Sequence, residues 1–314
     1  MDPNSILKTA AARLADTRQD PRRLSMLYGA VALALSTLVT VVNFLLARQL
    51  DSAGGLAGMG TRAILSTAQS VLTLATVVLL PFWDAGYRYA CLRHARNEYA
   101  DGSDLLEGLR RWAPVLRLNL LRALLISLLS FVCLQAAGML FLFSPFSMEA
   151  METLSQIPET TDPAAMEAVV ETMLPLMIPL YVIFAVVLLV VLIPVFYRLR
   201  LADLRVLDGE NRALRAMKDS NRAMRGHMWQ YFLLDLKFWW FYLGQLLTTA
   251  LAYGDTLLNA LGVNVNPNVT YFVFFALSVT AQFLLTWRFA PLVNTANAVA
   301  YETLKPQKEL RIEN

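Results

Sequence analysis

Charge is scarce in this chain. Asp, Glu, Lys and Arg make up 16% of its 314 residues, where soluble domains carry about 25%. Cysteine is nearly absent: Cys91 and Cys133 are the only two, which excludes a disulfide scaffold. Histidine is equally rare, with only His94 and His227. His94 and Glu98 fall at i, i+4, but two groups do not make a metal site. No HExxH, GxSxG or Walker A pattern occurs. We therefore expect no enzyme, no cofactor and no bound metal. No zinc-finger, RRM or KH signature is present, so nucleic acid is not an expected partner.

What the chain has is apolar side chain, 57% of it in the AVILMFWYC set. A soluble core cannot absorb that share without leaving large exposed patches. A bilayer core of about 30 Å needs roughly 20 apolar residues in a helix. Six stretches meet this or nearly so: 24–47, 63–83, 123–143, 174–197, 238–254 and 269–287. The expected fold is all-α, a single polytopic membrane domain over 1–314 with six transmembrane helices. Residues 84–114 and 198–237 are expected as cytoplasmic helical connectors, and 144–173 as an acidic external loop free of Lys and Arg.

The basic residues set the orientation. Of 27 Lys and Arg, all but Arg48 and Arg62 fall on the side of the N-terminal tail, the even-numbered loops and the C-terminal tail. Both termini are expected to be cytoplasmic. The net charge of +3 conceals this asymmetry. The N-terminus lacks a small-residue cleavage site, and its first apolar run is long enough to remain as a span. Ile6, Leu7, Ala10, Ala11 and Leu14 stand at helical spacing and predict a short amphipathic helix on the membrane surface.

The even spans end alike, at Pro81, Pro194 and Pro291, and a helical pattern runs on past each. Proline in a membrane helix can kink it without ending it. Two extensions stop at the same dipeptide, Asp101-Gly102 and Asp208-Gly209, each followed by an amphipathic stretch. The chain thus reads as repeated two-helix units. In the second amphipathic stretch, Leu214, Met217, Met224, Met228 and Tyr231 predict an apolar stripe. Arg212, Arg215, Lys218, Arg222 and Arg225 fill much of the other face. These five are the candidate lipid- or partner-binding residues. Anionic lipid of the inner leaflet attracts such a face by about 1 kcal/mol per basic residue. A protein partner, or a plain connector obeying the positive-inside rule, accounts for it equally.

No span core contains an ionisable residue, which argues against a proton- or sodium-coupled carrier. Asn43, Gln69, Gln135, Gln245 and Gln282 place one carboxamide in each of five spans. Interhelical hydrogen bonding explains them at about 0.6–2 kcal/mol each. The alternative is a polar path in a transporter or facilitator for an apolar or amphiphilic solute.

Three strings carry a family resemblance: Ala216…Ser220…Met224-Arg225-Gly226-His227, Pro291…Thr295-Ala296…Ala300-Tyr301…Leu304, and Leu7-Lys8…Ala12-Arg13-Leu14. Together they resemble domain of unknown function 975, a family of multi-pass membrane proteins common in Firmicutes. In that family a Ser-x-x-x-Met-x-Gly segment precedes an apolar span. A Pro-Tyr-like corner then precedes a Tyr near the C-terminus. The chain departs at the corner, where Leu292 follows the proline, and has Trp239-Trp240 where a Gly-Trp is usual. The resemblance implies a bacterial plasma membrane and no assigned activity.

Overall fold

The computed structural model describes residues 1–16, 21–52, 56–155, 163–254, 258 and 267–305. Among these the chain is all-helical, with no strand. α1 is Pro3–Asp16, α2 Pro21–Ser52 and α3 Leu56–Ala95. A 3-10 helix, Gly102–Leu106, leads into the single turn α4, Glu107–Arg110. α5 is Trp112–Leu142, α6 Pro145–Ser155 and α7 Pro163–Leu199. Four shorter or broken helices and one long one follow: α8 Ala202–Leu207, α9 Ala213–Met224, α10 Met228–Lys237, α11 Trp239–Leu251 and α12 Pro267–Leu304.

Five windows are long and apolar enough to cross a membrane: Pro21–Val42, Ser66–Ala95, Trp112–Leu142, Ile178–Leu207 and Thr270–Leu304. The fifth expected span, 238–254, is represented by α11, whose 13 residues reach only about 20 Å. The segment 144–173 contains α6 and the first turns of α7, and 156–162 lie outside the described residues.

The chain divides into two compact units, Asn119–Arg200 and the remainder, Met1–Leu118 with Leu201–Asn314. In the smaller unit, the Arg122 guanidinium donates to the Leu199 carbonyl at the end of α7 (3.2 Å). The most apolar stretch of α7 buries none of its residues, as expected of a helix solvated by lipid tails.

The larger unit is organised around α12. α2 runs antiparallel to it: the Ser25 hydroxyl donates to the Trp287 carbonyl (2.9 Å), and Gly29 faces Phe283. α11 and the turn after it follow α12 in the opposite direction, and α10 reaches α12 at Tyr231. Successive contacts are Tyr231 with Asn297, Trp240 with Phe289, Gly244 with Leu285, Thr248 with Ser278, and Gly254 with Phe274. α10 and α11 are separated at Phe238, whose N–H turns back to the Asp235 carbonyl (2.8 Å).

Burial is concentrated at one end of this unit. Tyr87, Ala90, Leu92, Leu201, Leu207, Ala216, Met224, Leu234, Ala296 and Ala300 are all buried there. We call this end the cap. It comprises α1, the part of α3 beyond Pro81, the 3-10 helix with α4, α8, α9, α10 and the part of α12 beyond Pro291. α3 and α12 both stay helical through their prolines. α7 ends five residues after Pro194, and α8 starts afresh. α1 packs on α12 in the cap, with Ile6 and Ala10 buried, so it covers protein on that face.

Two glycines let the cap close. The 3-10 helix and α4 cross α3 in backbone contact. A Cβ on Gly86 would overlap the Leu105 carbonyl oxygen, and one on Gly108 would overlap that of Phe82. No side chain could move aside to admit either.

Candidate functional site

The cap is tied together by ion pairs between segments far apart in sequence. Arg88 on α3 bridges Asp84 (2.8 Å) and Asp203 on α8 (2.6 Å). Arg93 holds Asp104 (2.8 Å), which in turn accepts from the Asp101 backbone N–H (2.8 Å). The centre of the arrangement is Asp208, the residue after α8. Its carboxylate takes Arg96, the residue after α3, the Tyr301 hydroxyl (2.7 Å) and the Lys305 ammonium (2.7 Å). Arg96 also reaches Glu302 (2.6 Å). Burial pushes the Asp208 carboxyl pKa up. The hydrogen bonds from Lys305, Arg96 and Tyr301 more than reverse this and hold it below the ordinary aspartate value. The carboxylate is therefore committed to holding three helices together.

The two Asp-Gly dipeptides have different roles. Asp101 caps the 3-10 helix by accepting from the Ser103 N–H (2.8 Å). Asp208 ends α8 and carries the ion cluster. What the two extensions share is a left-handed closing residue, Asn97 (φ 64°) in one and Gly209 (φ 113°) in the other. Each is spanned by a local helix-end bond to the residue five positions back, Glu98 N–H to Arg93 O and Glu210 N–H to Arg205 O.

The strings behind the family resemblance acquire physical roles here. Ser220 is buried, and its hydroxyl accepts the Leu201 N–H (3.1 Å), which the break between α7 and α8 leaves free. Met224 is fully buried at the end of α9, and Gly226 adopts φ 85°, turning the chain into α10. Thr295, Ala296 and Ala300 form the packed face of α12, and Tyr301 completes the Asp208 cluster. Ser220→Ala is expected to destabilise the cap by about 1–2 kcal/mol, because a buried N–H loses its acceptor. Thermal unfolding in nanodiscs should show the loss, and Ser220→Thr should restore most of it. An unchanged midpoint in the alanine variant would remove Ser220 from this role.

The expected apolar stripe of the second amphipathic stretch is corrected in part: Met224 and Tyr231 are buried as expected, but the stripe does not start at Leu214. Leu214 is 69% exposed, and the buried face of α9 is Ala213, Ala216, Ser220 and Met224. Two causes act together. Small side chains let α9 approach α8 closely, and α9 ends at Met224, so Met228 and Tyr231 belong to the next helix. The basic row survives the correction. Arg212, Arg215, Lys218, Arg222 and Arg225 are all exposed. Among the described residues the row makes loose pairs, Arg215 with Glu210 (3.6 Å) and Arg222 with Asp219 (3.9 Å). A cleft beside it, lined by Arg205, Asp219, Ser220, Tyr301 and Lys305, has room for about one water molecule.

Of the in-membrane amides, Gln245 on α11 and Gln282 on α12 are brought together, amide to amide (3.4 Å). Gln69 is half-buried on α3, and Gln135 is exposed on α5. The side chain of Asn43 lies outside the described residues. Both cysteines are free thiols and buried.

No curated protein and no solved structure matches the chain. A family model does, over residues 1–308, nearly the whole length. The chain therefore belongs to the family described as protein of unknown function (DUF975).

Proposed function

We propose that this is a non-enzymatic membrane protein of the bacterial plasma membrane that acts through its cytoplasmic cap, docking an acidic partner on the basic row of α9. The observation that carries this reading is the exposure of all five basic residues on and at the two ends of α9, in a cap otherwise closed by internal ion pairs.

Six crossings with both termini cytoplasmic underlie it. What supports an even number of crossings is that the start of α2 meets α12 at Trp287, beside the cap. The stretch from Trp240 to Gly254 follows α12 and is the sixth crossing of this reading. Trp83, Trp240 and Trp287 lie near one level, as an interfacial aromatic belt does. The positive-inside rule assigns the cap side to the cytoplasm.

The basic row stands well beyond that belt. α9 borders Tyr301 and Lys305 of α12 across the small cleft. Those residues lie 14 or more positions past Trp287, about 21 Å along a helix. Surface charges are screened beyond about 8–10 Å at physiological salt. The geometry thus favours a protein partner over the bilayer surface for this row.

The test uses the full chain in neutral phosphatidylcholine nanodiscs, titrated with a fluorescent poly-Glu 20-mer at two salt concentrations. Replacing the five basic residues with Gln should weaken binding at least tenfold and flatten its salt dependence. Equal binding by the variant, together with unchanged localisation and cellular phenotype, would reduce the segment to a connector.

A further inference from the structure

We infer that the 3-10 helix with α4 and the first residue of α5 forms a second, separate surface that is seated in the headgroup–acyl boundary of the bilayer, with anionic lipid as its partner. The argument begins with its level. Gly86 and Gly108 hold this element in backbone contact with α3 over Phe82–Gly86. Trp83, in that same turn, donates its indole N–H to the Tyr28 carbonyl (3.1 Å) at the level of the tryptophan belt. The element therefore lies where the span of α3 leaves the membrane.

Its two faces are unlike. Asp104, Leu105 and Gly108 are turned inward and buried. Leu106, Leu109 and Trp112, three residues apart, are turned outward, and Trp112 is 58% exposed. Arg110 and Arg117 are exposed nearby. A tryptophan and two leucines with flanking arginines form the pattern of an interfacial anchor. The apolar side chains enter the acyl boundary while the guanidinium groups reach the phosphates.

Continuity with the lipid-facing surface selects the occupant. On α3, Leu79 lies one turn above Phe82 and two above Gly86 on the same face of the helix and is exposed. Lipid covering Leu79 runs directly onto the element below. A partner protein would have to displace that lipid to reach the same patch. This surface is distinct from the α9 row, and either one can fail alone.

The test places an environment-sensitive nitrobenzoxadiazole label at single new cysteines, Leu109→Cys and Trp112→Cys, with Arg225→Cys on the far cap as the aqueous reference. Both native thiols are buried, which makes labelling of the new sites selective in the folded full chain. The protein is reconstituted in phosphatidylcholine vesicles with and without 30% phosphatidylglycerol. Labels at 109 and 112 should be quenched at least twofold by lipid carrying a shallow doxyl group, and dithionite should bleach them at least tenfold more slowly than the label at 225. Phosphatidylglycerol should shift their emission to the blue, and Arg110→Gln with Arg117→Gln should abolish that shift. Bleaching as fast as at 225 overturns the proposal. So does protection from both quenchers, which would mean that protein covers the patch. Lipid quenching that is indifferent to phosphatidylglycerol overturns the anionic partner. The poly-Glu titration in neutral nanodiscs does not involve this surface, so its result bears only on the α9 row.

Discussion

Gly86→Ala is expected to open the cap, raising the rate at which a maleimide labels Cys91 by about 100-fold or more. The added methyl would overlap the Leu105 backbone oxygen, and the contact is between two main chains. Rotamer changes cannot relieve it, so α3 and the 3-10 helix must separate. Overpacking in a dense core costs about 1–3 kcal/mol and sometimes more, and a backbone collision belongs at the upper end. With each 1.4 kcal/mol equal to about tenfold in an opening equilibrium, roughly 3 kcal/mol gives the stated rate. Gly108→Ala should behave alike, because its methyl meets Phe82 and Gly86 from the other side. Gly138 on α5 provides the contrast, since no atom stands within 4 Å of an added Cβ. Gly138→Ala should leave labelling unchanged or gain about 0.5–1 kcal/mol from helix propensity. Cys133→Ala is included throughout so that Cys91 is the sole reporter. If Gly86→Ala labels no faster than Gly138→Ala, the crossing is not the closure we describe.

The second large effect is expected at Asp208. Removing one partner of a buried ion pair costs about 3–5 kcal/mol, because the remaining charge stays desolvated. Asp208 has an 8% exposed side chain, while Arg96 and Lys305 keep 25% and 21% exposed. We therefore expect Asp208→Ala to lose about 3 kcal/mol, the lower end of that range. The loss should be non-additive with Lys305→Met, the double variant falling less than the sum. The pH dependence follows from the direction of the carboxyl shift. The folded pKa of Asp208 is lowered, so its contribution is present above the unfolded value of about 3.9. It is lost as pH falls through the folded value. Thermal midpoints measured in nanodiscs from pH 7 to pH 3 should fall for the wild type below about pH 4. Asp208→Ala should start lower at pH 7 and fall less steeply. Parallel curves would mean that Asp208 is not the acid-sensitive link.

The legible part of this protein was the part governed by local rules. Long apolar runs mark helices that lipid can solvate, and α2, α3, α5, α7 and α12 stand where the runs predicted. The helical continuation through Pro81 and Pro291 was visible from periodicity alone. The boundary at Phe238 was marked by the charge of Lys237, as the end of the connector and the start of an apolar run, whereas no proline or glycine announced that the helix itself breaks there. The residues of the family strings stood out as strings, but their roles did not. Nothing in Ser220 announces that it will accept an N–H freed by a helix break 19 positions earlier. Gly86 left a faint signal, since an interior glycine weakens a helix by about 1 kcal/mol and implies a compensating close approach. The predicted stripe held at Met224 and Tyr231 but missed at Leu214, because hydropathy ranks Leu214 above Ala213, whereas close packing against α8 prefers the smaller side chain.

By itself the sequence determined the helical class, the apolar segments able to cross a bilayer, the distribution of Lys and Arg among the loops and the basic row from Arg212 to Arg225. Tertiary structure alone decided that Arg96, Asp208, Tyr301 and Lys305 meet, that two glycines bring α4 onto α3, and that Leu106, Leu109 and Trp112 face outward beside them. The difference is one of range. Hydropathy and period are properties of neighbouring residues, each of which must satisfy the same solvent on its own. An ion cluster joining positions more than 90 residues apart depends on the register of helices against one another, and that register is set only when all of them pack at once.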